Sequence, residues 1–171
     1  MVNRNKNGHL IVKENKVNLV LLAKVNMMEK QVQIVKAVDQ ECLKKVFAIR
    51  KIVFVEEQNC PPDLEWEFEE ESNHFLALLN DVPVGACRWR KTEKGYKLER
   101  FAVLKDHRGK GIGKLLVKAV IADLPEDLDY VYLHAQIKAV DFYNKLNFFK
   151  EGPQFEEAGI QHFKMVLQHN I

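Results

Sequence analysis

The segment His107-Arg108-Gly109-Lys110-Gly111-Ile112-Gly113-Lys114 limits this chain more than any other. It sets three glycines and the cations Arg108, Lys110 and Lys114 between a strand pattern and a helix pattern. Upstream, Lys97 to Leu104 alternates with period two; downstream, Ile112, Leu115, Leu116, Ala119 and Val120 recur at helical spacing. The loop therefore opens a helix, predicted over 109–123, and the chain must be an α/β protein at this junction. First-turn N–H groups have no acceptor inside a helix, and glycine lets the oxygens of a ligand approach the backbone where a side chain would block them. Such an end suits a phosphate. The helix dipole contributes about 0.3 to 1 kcal/mol, and the full charges on the three cations should matter more.

Two familiar phosphate loops fail on spacing. A P-loop needs glycine and Ser or Thr where Arg108 and Leu115 stand, and a dinucleotide fingerprint needs glycine where Lys114 stands. The remaining pattern, Arg108-Gly109-Lys110-Gly111-Ile112-Gly113, resembles the Arg/Gln-x-x-Gly-x-Gly/Ala signature of the GNAT N-acetyltransferases. Other segments resemble the ElaA/YjcF-like branch of that family: Arg50-x-x-Val53-Phe54-Val55-x-Glu57-Gln58-Asn59-Cys60-Pro61, Leu98-Glu99-Arg100, Ala135-Gln136, Phe142-Tyr143-x-Lys145-x-Asn147-Phe148 and Gly159-Ile160-x-His162. The resemblance runs over nearly all of positions 31–170.

At 171 residues the chain suits one domain, able to bury about 70% of the surface its unfolded form exposes, without a metal or disulfide staple. Cys42, Cys60 and Cys87 are odd in number and too far apart for a zinc motif, which fits a reducing compartment. A net charge of +2, from 26 basic and 24 acidic residues, gives no global field for nucleic acid. Acid concentrates in one stretch, Glu56, Glu57, Asp63, Glu65, Glu67 and Glu69 to Glu71, either a solvated loop or an attractor for a cationic amine. The apolar run Val17 to Val25 is too short for a bilayer, which needs about 20 apolar residues. The expected layout is an N-terminal extension over 1–29 and a catalytic domain over 30–171, in the cytoplasm, with no membrane partner.

Along the chain, Gln31 to Val38 reads as a strand, and Asp39 as the N-cap of a helix running to about Val55 with the stripe Leu43, Val46, Phe47, Val53 and Phe54. Arg50 falls in that stripe and needs a buried partner or a role in the site. Pro61-Pro62 should end regular structure. Phe75–Leu79, Pro83–Lys91 and Tyr96–Leu104 read as three antiparallel strands turning at Asn80-Asp81 and Lys94-Gly95. After the loop helix come a strand over Tyr130–Ala135, a short helix over Lys138–Leu146, and a closing pair, Phe148–Glu151 with Gln161–Leu167.

The GNAT resemblance implies an α/β (α+β) fold, a mixed, twisted, mostly antiparallel sheet flanked by helices, whose fourth and fifth strands splay apart to receive acetyl-CoA as cosubstrate. It implies an acyltransferase that moves acetyl to a primary amine on a small molecule or protein by direct attack. A non-catalytic acyl-CoA sensor is the alternative. The cofactor residues it implies are Phe101, Ala102 and Val103 for the pantetheine arm, Arg108, Gly109, Lys110, Gly111, Ile112, Gly113 and Lys114 for the pyrophosphate, and Gln136. Tyr143 is the expected proton donor to sulfur, and the Val103 N–H the expected oxyanion donor. Glu99 is the expected base, placed by period two on one face with Phe101 and Val103. Glu57, Gln58, His74 and His162 are secondary candidates for the acceptor pocket. Cys60 lacks a visible activator for a covalent route. No metal is expected; the acceptor stays open, as does the oligomeric state, homodimer included.

Overall fold

A computed structural model describes residues 32–126 and 130–168. The expectations for residues 1–29 lie outside these. After β1 (Val32–Ala37), the carboxylate of Asp39 accepts from the Cys42 N–H at 2.8 Å and starts α1 (Gln40–Arg50). The expected single helix to Val55 changes winding at Arg50, and Lys51–Glu57 continues as a π-helix. Val46, Ile49 and Val53 are buried, with Leu43, Phe47 and Phe54 packed around them. Pro61-Pro62 does not end regular structure. Pro62 is instead the first residue of a one-turn helix, α2 (Pro62–Glu65), where its missing N–H and fixed φ cost nothing.

The strands β2 (Ser72–Leu79), β3 (Val82–Thr92) and β4 (Gly95–Val103) form an antiparallel meander. Asn80 and Asp81 both have positive φ, as a tight two-residue hairpin requires. Gly95 is obligatory, because a Cβ there would lie 2.2 Å from the Tyr130 carbonyl oxygen. α3 (Ile112–Asp123) then crosses back to β5 (Val131–Gln136), which lies parallel to β4. A 3-10 turn (Ile137–Ala139) and α4 (Val140–Asn144) lead to the hairpin β6 (Phe148–Glu157) and β7 (Ile160–Leu167). The sheet order is β1-β2-β3-β4-β5-β7-β6, a mixed, mostly antiparallel sheet flanked by helices. β6 runs six residues past its expected end, since Gly152-Pro153 sits in an irregularity of this edge strand rather than breaking it.

The helices divide between the faces. α1 packs on the face carrying Ala86 and Ala102. α3 packs on the other, where Ile112 and Leu116 crowd Gly85; buried Leu116, Val117 and Val120 contribute about 1.5 to 3 kcal/mol each. No helix among the described residues is long and apolar enough to cross a membrane.

Candidate active site at the strand splay

β4 and β5 pair only through Tyr96–Val131, Lys97–Tyr132 and Leu98–Leu133, then diverge around a cleft of about 600 Å³. The divergence has a local cause. Arg88 on β3 faces Glu99, whereas Ala86, two residues earlier, faces Ala102, three residues later, so β4 carries one extra residue. Arg100 absorbs it with φ +57°, a β-bulge that bends the strand away from its neighbour. Its side chain swings onto α2, where it bonds the Leu64 carbonyl at 2.5 Å and the Glu65 carboxylate at 2.8 Å.

The bulge leaves backbone groups facing the opening. Leu104 N–H donates to the Val84 carbonyl at 2.9 Å, so by strand alternation the N–H and C=O of Val103 point the other way, into the splay. The Val103 carbonyl accepts from Arg108 Nε at 2.9 Å, while its N–H stays available.

Shortly after β4, α3 begins without a side-chain cap, on Gly111 with φ +79°. The expected start at 109 is three residues early, because Gly109 and Gly111 adopt left-handed φ and their Cβ positions face open space. Among the described residues, no protein group accepts from the amides of residues 109–114. Lys110 and Lys114 are exposed and, among the described residues, take part in no ion pair. N–H donors of this kind beside ammonium groups could hold an anionic group such as a phosphate. Gly113 has a further reason to be glycine, since a Cβ there would meet the Phe142 ring at 3.3 Å.

Residues 35–169 match the family described as "Acetyltransferase (GNAT) domain". This chain belongs to the GNAT acetyltransferases. It is 41% identical over 133 residues to the uncharacterized N-acetyltransferase YjcF of Bacillus subtilis (strain 168), covering 76% of this chain and 95% of that protein. Among solved structures it is similar to Escherichia coli ElaA (TM-score 0.67, 26% identity, 81% of this chain and 99% of that one). It is also similar in fold to a GNAT acetyltransferase of Elizabethkingia anophelis with acetyl-CoA bound (TM-score 0.60, 15% identity, 80% and 95%). The GNAT protein described here is accordingly an acyltransferase.

Not every residue read from the GNAT pattern sits as expected. The guanidinium of Arg108 does not stand free for phosphate. It grips Glu57 through both terminal nitrogens at 2.6 and 2.7 Å and holds that carboxyl below its usual range. Glu99 does not share a face with Phe101 and Val103, because the bulge puts it on the side of Ala102. There Lys97, Arg88 and Arg90 approach it at 2.8, 3.0 and 3.1 Å. Burial alone would raise its pKa, but these three cations prevail and hold it at about 2.

Glu99 also ends a continuous ion chain. Glu65 binds Arg50 at 2.6 Å and Arg100 at 2.8 Å, while Glu69 binds Arg50 at 2.6 Å and Arg88 at 2.9 Å. Fully buried Arg50 is thereby satisfied, and two members of the acidic stretch form structure rather than a solvated loop. His74 lies against this network, with Nε2 3.3 Å from the Glu69 carbonyl, and does not line the cleft.

Tyr143 lines the cleft from α4, packed between Phe101 and Phe148 with ring centroids 6.1 and 6.0 Å away. Among the described residues no protein group bonds its hydroxyl, and burial pushes its pKa well above the ordinary tyrosine value, so it stays protonated. Gln136 donates to the Gln58 side chain at 2.8 Å, joining the end of β5 to the segment after the π-helix. Cys60 also lines the cleft, and burial raises its thiol pKa, the reverse of what a nucleophile needs.

The wall that sequence reasoning missed comprises Lys97, His134 and Glu157. His134 Nδ1 lies 3.2 Å from Glu157, whose carboxyl is held at about 2 chiefly by that bond. Period two marks Lys97 and His134 as strand residues, but only the β4–β5 and β5–β7 registers place them on one face. Glu157 lay beyond the expected end of its strand.

Proposed function

We propose that this protein transfers an acetyl group from acetyl-CoA to a primary amine by direct attack, without an acyl-enzyme. The observation that carries the reading is the row of amides over 109–114, which bond to no described protein group and follow shortly after β4, whose Val103 lines the cleft with Arg108 and Tyr143. The pyrophosphate lies on those amides, with Lys110 and Lys114 supplying charge, and the pantetheine arm runs along Phe101 to Val103. The thioester oxygen turns toward the Val103 N–H as it gains charge; a preorganised donor of this kind contributes about 3 to 4 kcal/mol in the transition state. Tyr143 gives its proton to the departing sulfur. Arg108 acts as a tether, closing the π-helix end onto β4 through Glu57, rather than as a phosphate ligand. Glu99 stays ionised and fixes the sheet at the bulge.

Acetyl-CoA bound in the E. anophelis GNAT protein supports this use of the fold. The test is thiol release on mixing acetyl-CoA with polyamines, amino sugars, aminoglycosides and peptides. Turnover on one class is the expected result; tight CoA binding with no turnover on any of them would make the protein a sensor instead.

A further inference from the structure

With Glu99 committed to three cations, another group must receive the proton of the attacking nitrogen. We propose that His162 is the general base of this transfer, an inference that rests on the acetyltransferase reading and assigns the step it leaves open.

The sheet register fixes where His162 stands. It is the cross-strand partner of Gln136 on β5, and Lys97 partners Tyr132, so Lys97, His134, Gln136 and His162 share one face. Glu99 and Ala102 belong to that face too, which puts Phe101 and its neighbour Tyr143 on the opposite one. His162 and Tyr143 therefore flank the splay from its two sides, and both line the same cleft. An amine arriving from the His162 side and a thiol leaving toward Tyr143 do not compete for space.

The ring is prepared for the task by its contacts. Its Nδ1 lies 2.8 Å from the Ile160 carbonyl oxygen, which can only accept, so Nδ1 carries the hydrogen and Nε2 keeps its lone pair. Among the described residues no protein group bonds to Nε2, and the residue lines the cleft. Phe155 stacks on the ring at 5.9 Å and 25°, fixing its plane. The charged groups that face it are Glu157 from β6, which favours the imidazolium, and His134 from β5 and Lys97 from β4, which oppose it. Burial, the largest influence, lowers the pKa, so the ring is neutral at pH 7.

In the reaction the amine lone pair forms the C–N bond to the thioester carbon and the C–S bond breaks. One proton passes from nitrogen to His162 Nε2, and sulfur takes the Tyr143 proton. Solvent then returns one proton to Tyr143 and removes one from His162, so amine plus acetyl-CoA become amide plus free CoA.

The experiment compares wild type with His162→Gln and His162→Asn, the latter keeping a donor for the Ile160 carbonyl. It measures acetyl-CoA affinity, kcat and the pH profile of kcat/KM with two acceptor amines of different basicity. Expected are an acid limb in wild type at or below the ordinary histidine pKa and unmoved by the amine, its loss in both variants, a fall in kcat of about 100-fold, and acetyl-CoA affinity within threefold. A retained limb or near-wild-type kcat in a folded variant overturns the assignment and leaves the acetyltransferase reading intact. Absence of turnover in wild type overturns both. Independently of activity, long-range proton–nitrogen spectra should show His162 with hydrogen on Nδ1 at pH 7.5; the opposite tautomer or an imidazolium refutes the base.

Discussion

The ion chain packed against α1 and the groups around the opening of the splay hold polar atoms in opposite conditions. On the α1 side, Arg50, Glu65, Glu69, Arg88, Glu99 and Arg100 are bonded to one another until each charge has a partner. Around the opening, among the described residues, no protein group bonds the amides of 109–114, the Val103 N–H, the Tyr143 hydroxyl or Nε2 of His162. Removing one member from the saturated side leaves buried charge uncompensated, which concerns stability. The unsaturated polar groups contribute little to the fold and are free to meet a ligand. A perturbed carboxylate in a cleft therefore does not by itself mark catalysis; the better mark is a buried or preorganised polar group with nothing to bond.

This contrast can be broken in graded steps. The largest effect is expected for Glu99→Gln, which strands Lys97, Arg88 and Arg90 and should cost about 3 to 5 kcal/mol in urea denaturation while acetyl-CoA affinity stays within a few-fold. The same carboxyl has a pH signature. Its folded pKa of about 2 lies below the ordinary 4.5, so its stabilisation, roughly 3 kcal/mol by linkage, is complete above pH 4.5 and fades as pH falls toward 2. Glu99→Gln should lack that part of the acid limb in melting experiments; an identical limb would place Glu99 outside the network.

Next, Tyr143→Phe should lower kcat about 100-fold with cofactor affinity and melting temperature nearly unchanged, because the hydroxyl bonds to no described protein group. A wild-type rate would remove it as proton donor. Gly111→Trp should weaken acetyl-CoA binding at least 30-fold in calorimetry at a cost of about 1 kcal/mol in stability, from a side chain forced to positive φ above the amides. Unchanged affinity would move the pyrophosphate elsewhere. The smallest effect belongs to Arg108→Gln. Its exposed pairing with Glu57 is worth at most about 1 kcal/mol, and acetyl-CoA affinity should change less than threefold, whereas a guanidinium on phosphate would lose far more.

Much of this site is legible in the sequence. Three glycines between a period-two run and a helical run announce the glycine-rich helix start, because it depends on local pattern, and the GNAT resemblance of Phe142-Tyr143 points to the tyrosine that lines the cleft. What failed to show did so for definite reasons. Arg108 looks like a phosphate ligand until the fold brings Glu57, fifty-one positions earlier, against it. Glu99 looks like a base on the face of Phe101 until one residue of bulge at Arg100 shifts everything after it to the other face. The length of β6 was hidden by Gly152-Pro153, which stops a central strand but not an edge strand with an irregular register.

By itself the sequence determined the order of the elements, the family, and a strand that delivers a glycine-rich helix start, because hydrophobic period and backbone freedom are properties of neighbouring residues. Only the tertiary structure decided which ionisable side chains are spent on one another and which remain free for chemistry. Those pairings join residues far apart in the chain, and a one-residue register shift is enough to exchange their partners.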